Sequence, residues 1–130
     1  MGLIVKQLMV EGDKGKREVT ALFDTGASAS FIRREIAENL TTIVRLPTQY
    51  RFLQGDGKHE LIIQEGIMVN LTVNEVTFFQ QILVANELSE ELIIGADTLQ
   101  HWKIKLDPDK EDVIIDKKVL ELKLVTSTKL

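Results

Sequence analysis

The chain has 130 residues, of which 44% are hydrophobic and 28% charged, and its formal net charge is −4. These figures describe a single soluble globular domain over residues 1–130 and argue against a disordered or fibrous chain. There is no cysteine, which excludes disulfides, thiolate nucleophiles and Cys-based metal sites, and the mild acidity leaves no electrostatic footprint for nucleic acid.

The apolar residues are β-branched rather than aromatic: 13 Ile and 11 Val against 7 Phe, Tyr and Trp. Such residues favour pleated strands, so an all-β domain with one or two short helices is expected. Leu3–Val10 and Val19–Phe23 read as strands joined through Gly12-Asp13-Lys14-Gly15. Asp24–Ser30 holds only small and polar residues and reads as a loop. Phe31, Ile32, Ile36, Ala37 and Leu40 have helical offsets, which predicts a helix over 30–40 with Ser30 as its N-cap. Thr41–Pro47 reads as a connection.

Tyr50–Leu53 and Lys58–Ile63 flank Gln54-Gly55-Asp56-Gly57, and Asp-Gly between extended runs signals a hairpin in which both turn residues take φ > 0. Gly66 suggests a bulge or bend. Ile67, Val69, Leu71 and Val73 alternate along a strand, Asn74-Glu75 makes a tight turn, and Val76–Ala85 is the next strand. Glu87–Glu91 reads as an acidic loop. Leu92-Ile93-Ile94 is a short strand ended by Gly95, before a helix over 96–102. Ile104–Leu106, Val113–Ile115 and Val119–Val125 read as closing strands.

No window approaches the ~18 apolar residues needed to span a bilayer. The apolar start Met1–Val5 is broken by Lys6 and Gln7, unlike a secretory signal, and Lys6 sits where a myristoylation motif wants Ser or Thr. The expected compartment is the cytoplasm, with no membrane partner.

Two stretches carry chemistry. Phe23-Asp24-Thr25-Gly26-Ala27-Ser28 follows an apolar strand, and Ile93-Ile94-Gly95-Ala96-Asp97 comes later in the chain. The first resembles the catalytic loop of aspartic peptidases. The second is similar to the apolar-apolar-Gly element that packs behind that loop. With the Gly55-Asp56-Gly57 hairpin between them, the order resembles retropepsin-like (retroviral-type) aspartic peptidases, closest to small stand-alone prokaryotic members. The resemblance implies a small closed β-barrel-like domain. It implies catalysis by Asp24, with Thr25, Gly26, Ala27 and Ser28 in the active-site loop. Leu53, Gln54, Gly55, Asp56, Gly57 and Lys58 would form a flap over a polypeptide substrate, and Ile93, Ile94 and Gly95 would support the loop.

The chemistry is coherent without the family. Peptide hydrolysis without metal, cofactor or covalent nucleophile needs an activated water and a proton source. Two carboxylates sharing one proton supply both, because like charges ~3 Å apart cannot both ionise. One chain offers one Asp-Thr-Gly, so a homodimer is expected, with Asp24 of each subunit at the two-fold axis. Gly26 lacks a Cβ and lets two loops approach; Thr25 can hydrogen-bond the partner loop. Ala27 stands where pepsin-like lobes carry Ser, which removes a hydroxyl donor to the carboxylate and points to a weakly acidic optimum. Ser28 has no partner base and reads as a loop or helix-start hydrogen bonder. Leu3–Val10 and Val119–Val125 are candidates to pair at the dimer interface.

Blander roles stay open. Asp24 could be a turn residue or helix cap, and Gly55–Gly57 only a tight hairpin. Phe52, Leu53 and Leu61 could be core or cleft, and Trp102 core or interface. Asp97 reads as a first-turn charge. His59 and His101 lack a Glu-x-x-His companion, which argues against metal. The competing functions are a non-cleaving peptide-binding or dimerisation module on the same fold, and an acid-responsive regulatory dimer.

Overall fold

A computed structural model describes residues 2–54 and 56–118. Gly55 and the strand expected at Val119–Val125 lie outside the described residues. The elements run β1 (Leu3–Glu11), β2 (Lys16–Asp24), β3 (Phe31–Arg33), α1 (Arg34–Leu40), β4 (Val44–Leu53), β5 (Glu60–Val73) and β6 (Val76–Ala85). They continue with β7 (Leu92–Ile94), α2 (Ala96–His101), β8 (Lys105–Asp107) and β9 (Asp112–Ile114).

Six strands pair in the order β1-β2-β7-β3-β6-β5, and pairing of β1 with β5 closes them into a barrel. β4 adds to the outside of β5, and β8 and β9 form a separate two-stranded ribbon. The mostly-β, closed-barrel expectation with two short helices therefore holds. Closure matters because an open sheet would leave rows of unpaired backbone groups. β5 makes it possible. Its first half pairs with β4 and its second half with β6, while Asn70–Thr72 also meet β1.

Alternation places the core. Ile67, Val69, Leu71 and Val73 point inward, while Met68 and Asn70 between them are exposed. They meet Leu8, Val10, Val19, Phe23, Ile82 and Ile94 in one apolar cluster that α1 and α2 cover with Ile36, Leu40 and Leu99. Burying each such side chain contributes roughly 1.5–3 kcal/mol. Trp102 belongs to this core; its indole N–H donates to Gln80 Oε1 at 2.9 Å and its ring lies 5.4 Å from Phe78. Asn74 and Glu75 turn the β5–β6 hairpin with φ of 50° and 65°, as a two-residue turn of this hand requires.

Two local expectations are corrected. Ser30 does not cap a helix: Phe31–Arg33 is a strand, parallel to β6 and antiparallel to β7, and α1 begins only at Arg34. Strand pairing of Phe31 and Ile32 in the barrel overrides their helical spacing. Nor does Gly66 mark a bulge. Gly66 pairs with Val44 and Leu83 at the ends of the two ladders of β5, and the irregularity lies in β4 between Arg45 and Tyr50. Pro47 sits in that stretch; with no N–H to donate, it interrupts the ladder. The connection expected over 41–47 is accordingly strand from Val44 onward. Among the described residues no helix is long and apolar enough to cross a membrane.

Gly95 closes the turn from β7 to α2 in a place without room. A Cβ there would lie 2.2 Å from the Ala29 carbonyl oxygen and 2.7 Å from that of Ala27. Gly95→Ala is expected to cost about 3 kcal/mol through overpacking against backbone. Gly15, with nothing near its Cβ direction, should tolerate Ala within about 0.5 kcal/mol. Urea denaturation midpoints of the two variants beside the parent check the contrast.

Candidate active site

Asp24 is the last residue of β2, and two neighbouring pairings place it. β2 runs parallel to β7, with Ala21, Leu22 and Phe23 opposite Leu92, Ile93 and Ile94. It runs antiparallel to β1, with Leu3 opposite Asp24. Behind β7, the Gly95 backbone presses on the carbonyls of Ala27 and Ala29, and Ala96 N–H donates to the Ala27 carbonyl at 2.7 Å. The Ile93-Ile94-Gly95 stretch thus stands directly behind the loop that follows Asp24.

The loop folds back on the carboxylate. Gly26 N–H donates to Asp24 Oδ1 at 2.8 Å, and Ala27 N–H donates to the Asp24 carbonyl at 3.2 Å. A Cβ on Gly26 would lie 3.2 Å from that same Oδ1, so any side chain there would press on the carboxylate. Thr25 is exposed. Its N–H donates to the Gly2 carbonyl and its Oγ1 accepts Gly2 N–H at 3.3 Å, leaving the hydroxyl proton available to another acceptor.

The hydrogen-bonding serine is Ser30 rather than Ser28. Fully buried, the Ser30 hydroxyl accepts Gly95 N–H at 2.9 Å and lies 2.8 Å from both Asp97 Oδ1 and Thr98 Oγ1. Asp97 also accepts Thr98 N–H, so it is a buttress of the loop as well as a first-turn charge. This network joins residues 65 and more positions apart. Nothing local in the sequence announces it.

Asp24 opens into a cleft of about 420 Å³. Apolar lining comes from Leu22, Phe31, Phe52, Leu53, Leu61 and Ile93, with Ser28 and Gln54 adding polar groups. Phe52 packs edge-on against Phe31, ring centroids 5.0 Å apart. Phe52, Leu53 and Leu61 therefore face the cleft. The residues 88–90 of the acidic loop line it too, which sequence reasoning did not single out. Arg33 holds that loop by donating to the Leu88 and Ser89 carbonyls at 2.9 and 2.6 Å. A larger cavity of about 1060 Å³ touches the loop at Thr25, but among the described residues no carboxylate lines it, whereas Asp24 lines the smaller cleft.

The hairpin above the cleft brings Leu53 and Gln54 to it, whereas Asp56, Gly57 and Lys58 lie beyond its lining. Its turn differs from a two-residue Asp-Gly turn. Gly57 N–H donates to the Gln54 carbonyl and Gln54 N–H to the His59 carbonyl, so Gly57 ends a four-residue turn with φ of 71°. Asp56 organises the far side by accepting Lys58 N–H at 2.9 Å and His59 N–H at 3.0 Å, with His59 Nδ1 against its other oxygen. Among the described residues no group of three His, Cys, Asp or Glu side chains could hold a metal ion.

Comparison with known proteins agrees with this geometry. The family described as gag-polyprotein putative aspartyl protease matches residues 10–101. The chain belongs to that family. Among solved structures, this aspartyl protease-family chain is similar to the retroviral protease-like domain of Ddi1 from Leishmania major. The two share 19% identity over 89% of this chain and 90% of that one, with a TM-score of 0.65. It is also similar to EIAV protease complexed with the inhibitor HBY-793, at 20% identity over 82% and 93% with a TM-score of 0.57. Protein Lpg0085 of unknown function from Legionella pneumophila shares the fold at 13% identity over 82% and 91%, TM-score 0.51. The retropepsin-like fold is common to all of them.

The hairpin makes a prediction of its own. Backbone hydrogen bonds from Lys58 and His59, then the His59 side chain, lower the Asp56 carboxyl from 3.8 to about 2. A depressed carboxyl contributes order that is complete above pH 3.8 and is lost as pH falls through about 2. The Lys58 and His59 amide resonances should therefore shift with a midpoint near pH 2, and the transition should vanish in Asp56→Ala. NMR titration of both proteins decides; a midpoint at or above 3.8 would mean the bonds are absent in solution.

Proposed function

We propose that this chain is an aspartic endopeptidase acting as a homodimer. The observation that carries this reading is a carboxylate, Asp24, held by the Gly26 N–H on a cleft of about 420 Å³. Membership of an aspartyl protease family supports it. So does the placement of residues 24–28 on a loop braced from behind by Gly95 and Ser30.

In this mechanism, Asp24 of each protomer faces its counterpart and the two share one proton. The ionised carboxyl takes a proton from a water molecule held between them, and the protonated one polarises the scissile carbonyl. The Gly26 N–H keeps the carboxylate in the plane it needs, and the absent Gly26 side chain leaves space for the partner loop. The Thr25 hydroxyl proton bonds the partner loop. Leu53 and Gln54 close on the substrate from above, and its backbone pairs strand-like with the cleft walls.

The dimer reading draws on β1. Leu3 lies opposite Asp24 in the ladder, and both Leu3 and Val5 are exposed apolar residues beside the loop. In an isologous interface these side chains would bury each other across the axis.

Two expectations follow for activity and assembly. The protein should cleave a denatured polypeptide with pepstatin sensitivity, and Asp24→Asn should lower kcat/KM by about 10³-fold. Because turnover needs one shared proton, the pH profile should be bell-shaped with a weakly acidic optimum. Ala27→Ser supplies a hydroxyl donor to the ionised form and should move both limbs to lower pH. An upward shift, or a parent optimum near pH 2, would contradict the assigned environment. Retained cleavage in Asp24→Asn would remove the carboxylate from the mechanism. Peptide binding without cleavage by the parent would favour a binding module.

Light scattering should find a dimer at micromolar concentration. Val5→Asp should weaken it by at least about tenfold and lower activity in parallel. A fully active monomer would overturn the two-chain site.

A further inference from the structure

The lip of the cleft carries a second carboxylate, Glu90, which the catalytic reading leaves unused. Glu90 is half-buried, and among the described residues it has no cationic partner; its side-chain hydrogen bond is with the Ser89 hydroxyl, which donates to Oε2. The neighbouring cations are engaged elsewhere. Arg17 pairs with Glu91, and Arg33 with Glu35 and the Leu88 and Ser89 carbonyls.

The loop on either side of Glu90 is fixed. Before it, Arg33 holds the backbone at Leu88 and Ser89. After it, the Glu91 carboxylate accepts Thr20 N–H at 2.8 Å and the Glu91 carbonyl accepts Arg33 N–H at 3.0 Å. The backbone that carries Glu90 between these anchors is presented at a set place, so little main-chain entropy remains to be lost when the carboxylate finds a partner.

The cleft lining mixes polar groups with the apolar side chains of Leu22, Leu88 and Ile93, and among the described residues no Lys, Arg or His side chain lines it. Apolar side chains and a carboxylate without a cation on one cleft suit a long aliphatic stem with a positive head. From this geometry we infer that Glu90 makes the cleft selective for a lysine or arginine side chain in the bound polypeptide. The inference rests on the reading that this cleft holds substrate, and it names the chemistry of one substrate position.

The test uses short peptides of one fixed apolar sequence through which a single Lys, norleucine or Glu is walked. Binding to the Asp24→Asn protein is measured by fluorescence anisotropy at low and high salt, and cleavage by the parent is followed on the same peptides. At one position Lys should bind about fivefold tighter than norleucine at low salt, and Glu weaker than either. The Lys advantage should shrink in high salt. Glu90→Gln, which keeps the shape and an acceptor for Ser89, should bring the Lys-to-norleucine ratio to about one. Glu90→Lys should reverse the preference towards Glu. Thermal melts show that both variants are folded. Equal binding of Lys and norleucine at every position, a Lys preference that survives in Glu90→Gln, or no binding of any peptide would overturn the inference. Lys-selective binding without cleavage by the parent would uphold Glu90 while removing the peptidase reading.

Discussion

The Gly95 backbone lies so close to the carbonyls of Ala27 and Ala29 that no side chain fits between them, and most of the site depends on that approach. It lets Gly95 N–H reach the buried Ser30 hydroxyl and Ala96 N–H reach the Ala27 carbonyl. The loop after Asp24 is thereby sewn to the start of α2. A loop of Thr, Gly, Ala and Ser has almost no apolar surface with which to fix itself. Its conformation is set by hydrogen bonds to a neighbour that approaches within backbone distance, and those at Ser30 are strengthened by the full burial of its hydroxyl.

The same crossing organises the barrel. β7 is only three residues long, yet it pairs with β2 on one side and β3 on the other. Its side chains divide the labour: Leu92 and Ile94 are buried in the core, and Ile93 lines the cleft. The carboxylate strand, the loop after it and part of the cleft wall therefore all rest on one short strand. The acidic loop before β7 is held by Arg33, at the end of β3. Movement of β7 would displace the whole site together.

The hairpin is built on different physics. It projects beyond the barrel on the first half of β5, with β4 as its only strand partner there. It touches the rest of the molecule through Phe52 and Leu61, which join Phe31 and Ile63 in a small second cluster. Few buried contacts and many exposed hydrogen bonds mark a segment of low local stability, which suits a cover over a cleft. Order at its tip comes from the Asp56 carboxylate and not from packing.

Much was legible in the sequence because it is written in short range. Period-two alternation at Ile67–Val73, the Asn74-Glu75 turn, and the strand ends at Val76 and Ala85 stand as expected, since local pattern and tertiary burial agree there. The Asp24 loop and Ile93-Ile94-Gly95 resembled motifs of a known family, and that family's model matches residues 10–101. What misled was also local. Phe31 and Ile32 have helical spacing, and only partners on β6 and β7 make them a strand. Gly66 suggested a bulge that Pro47, on the neighbouring strand, produces instead. The Ser30–Gly95–Asp97–Thr98 network and the Arg33 grip on residues 88–89 join positions more than fifty residues apart and leave no periodic trace. By itself, the sequence determined a mostly-β domain with one candidate catalytic carboxylate, because strand propensity, turn chemistry and short motifs act between near neighbours. Only the tertiary structure decided which strands close the barrel, which serine holds the loop and which carboxylates share the cleft, because those contacts form between segments that burial brings together.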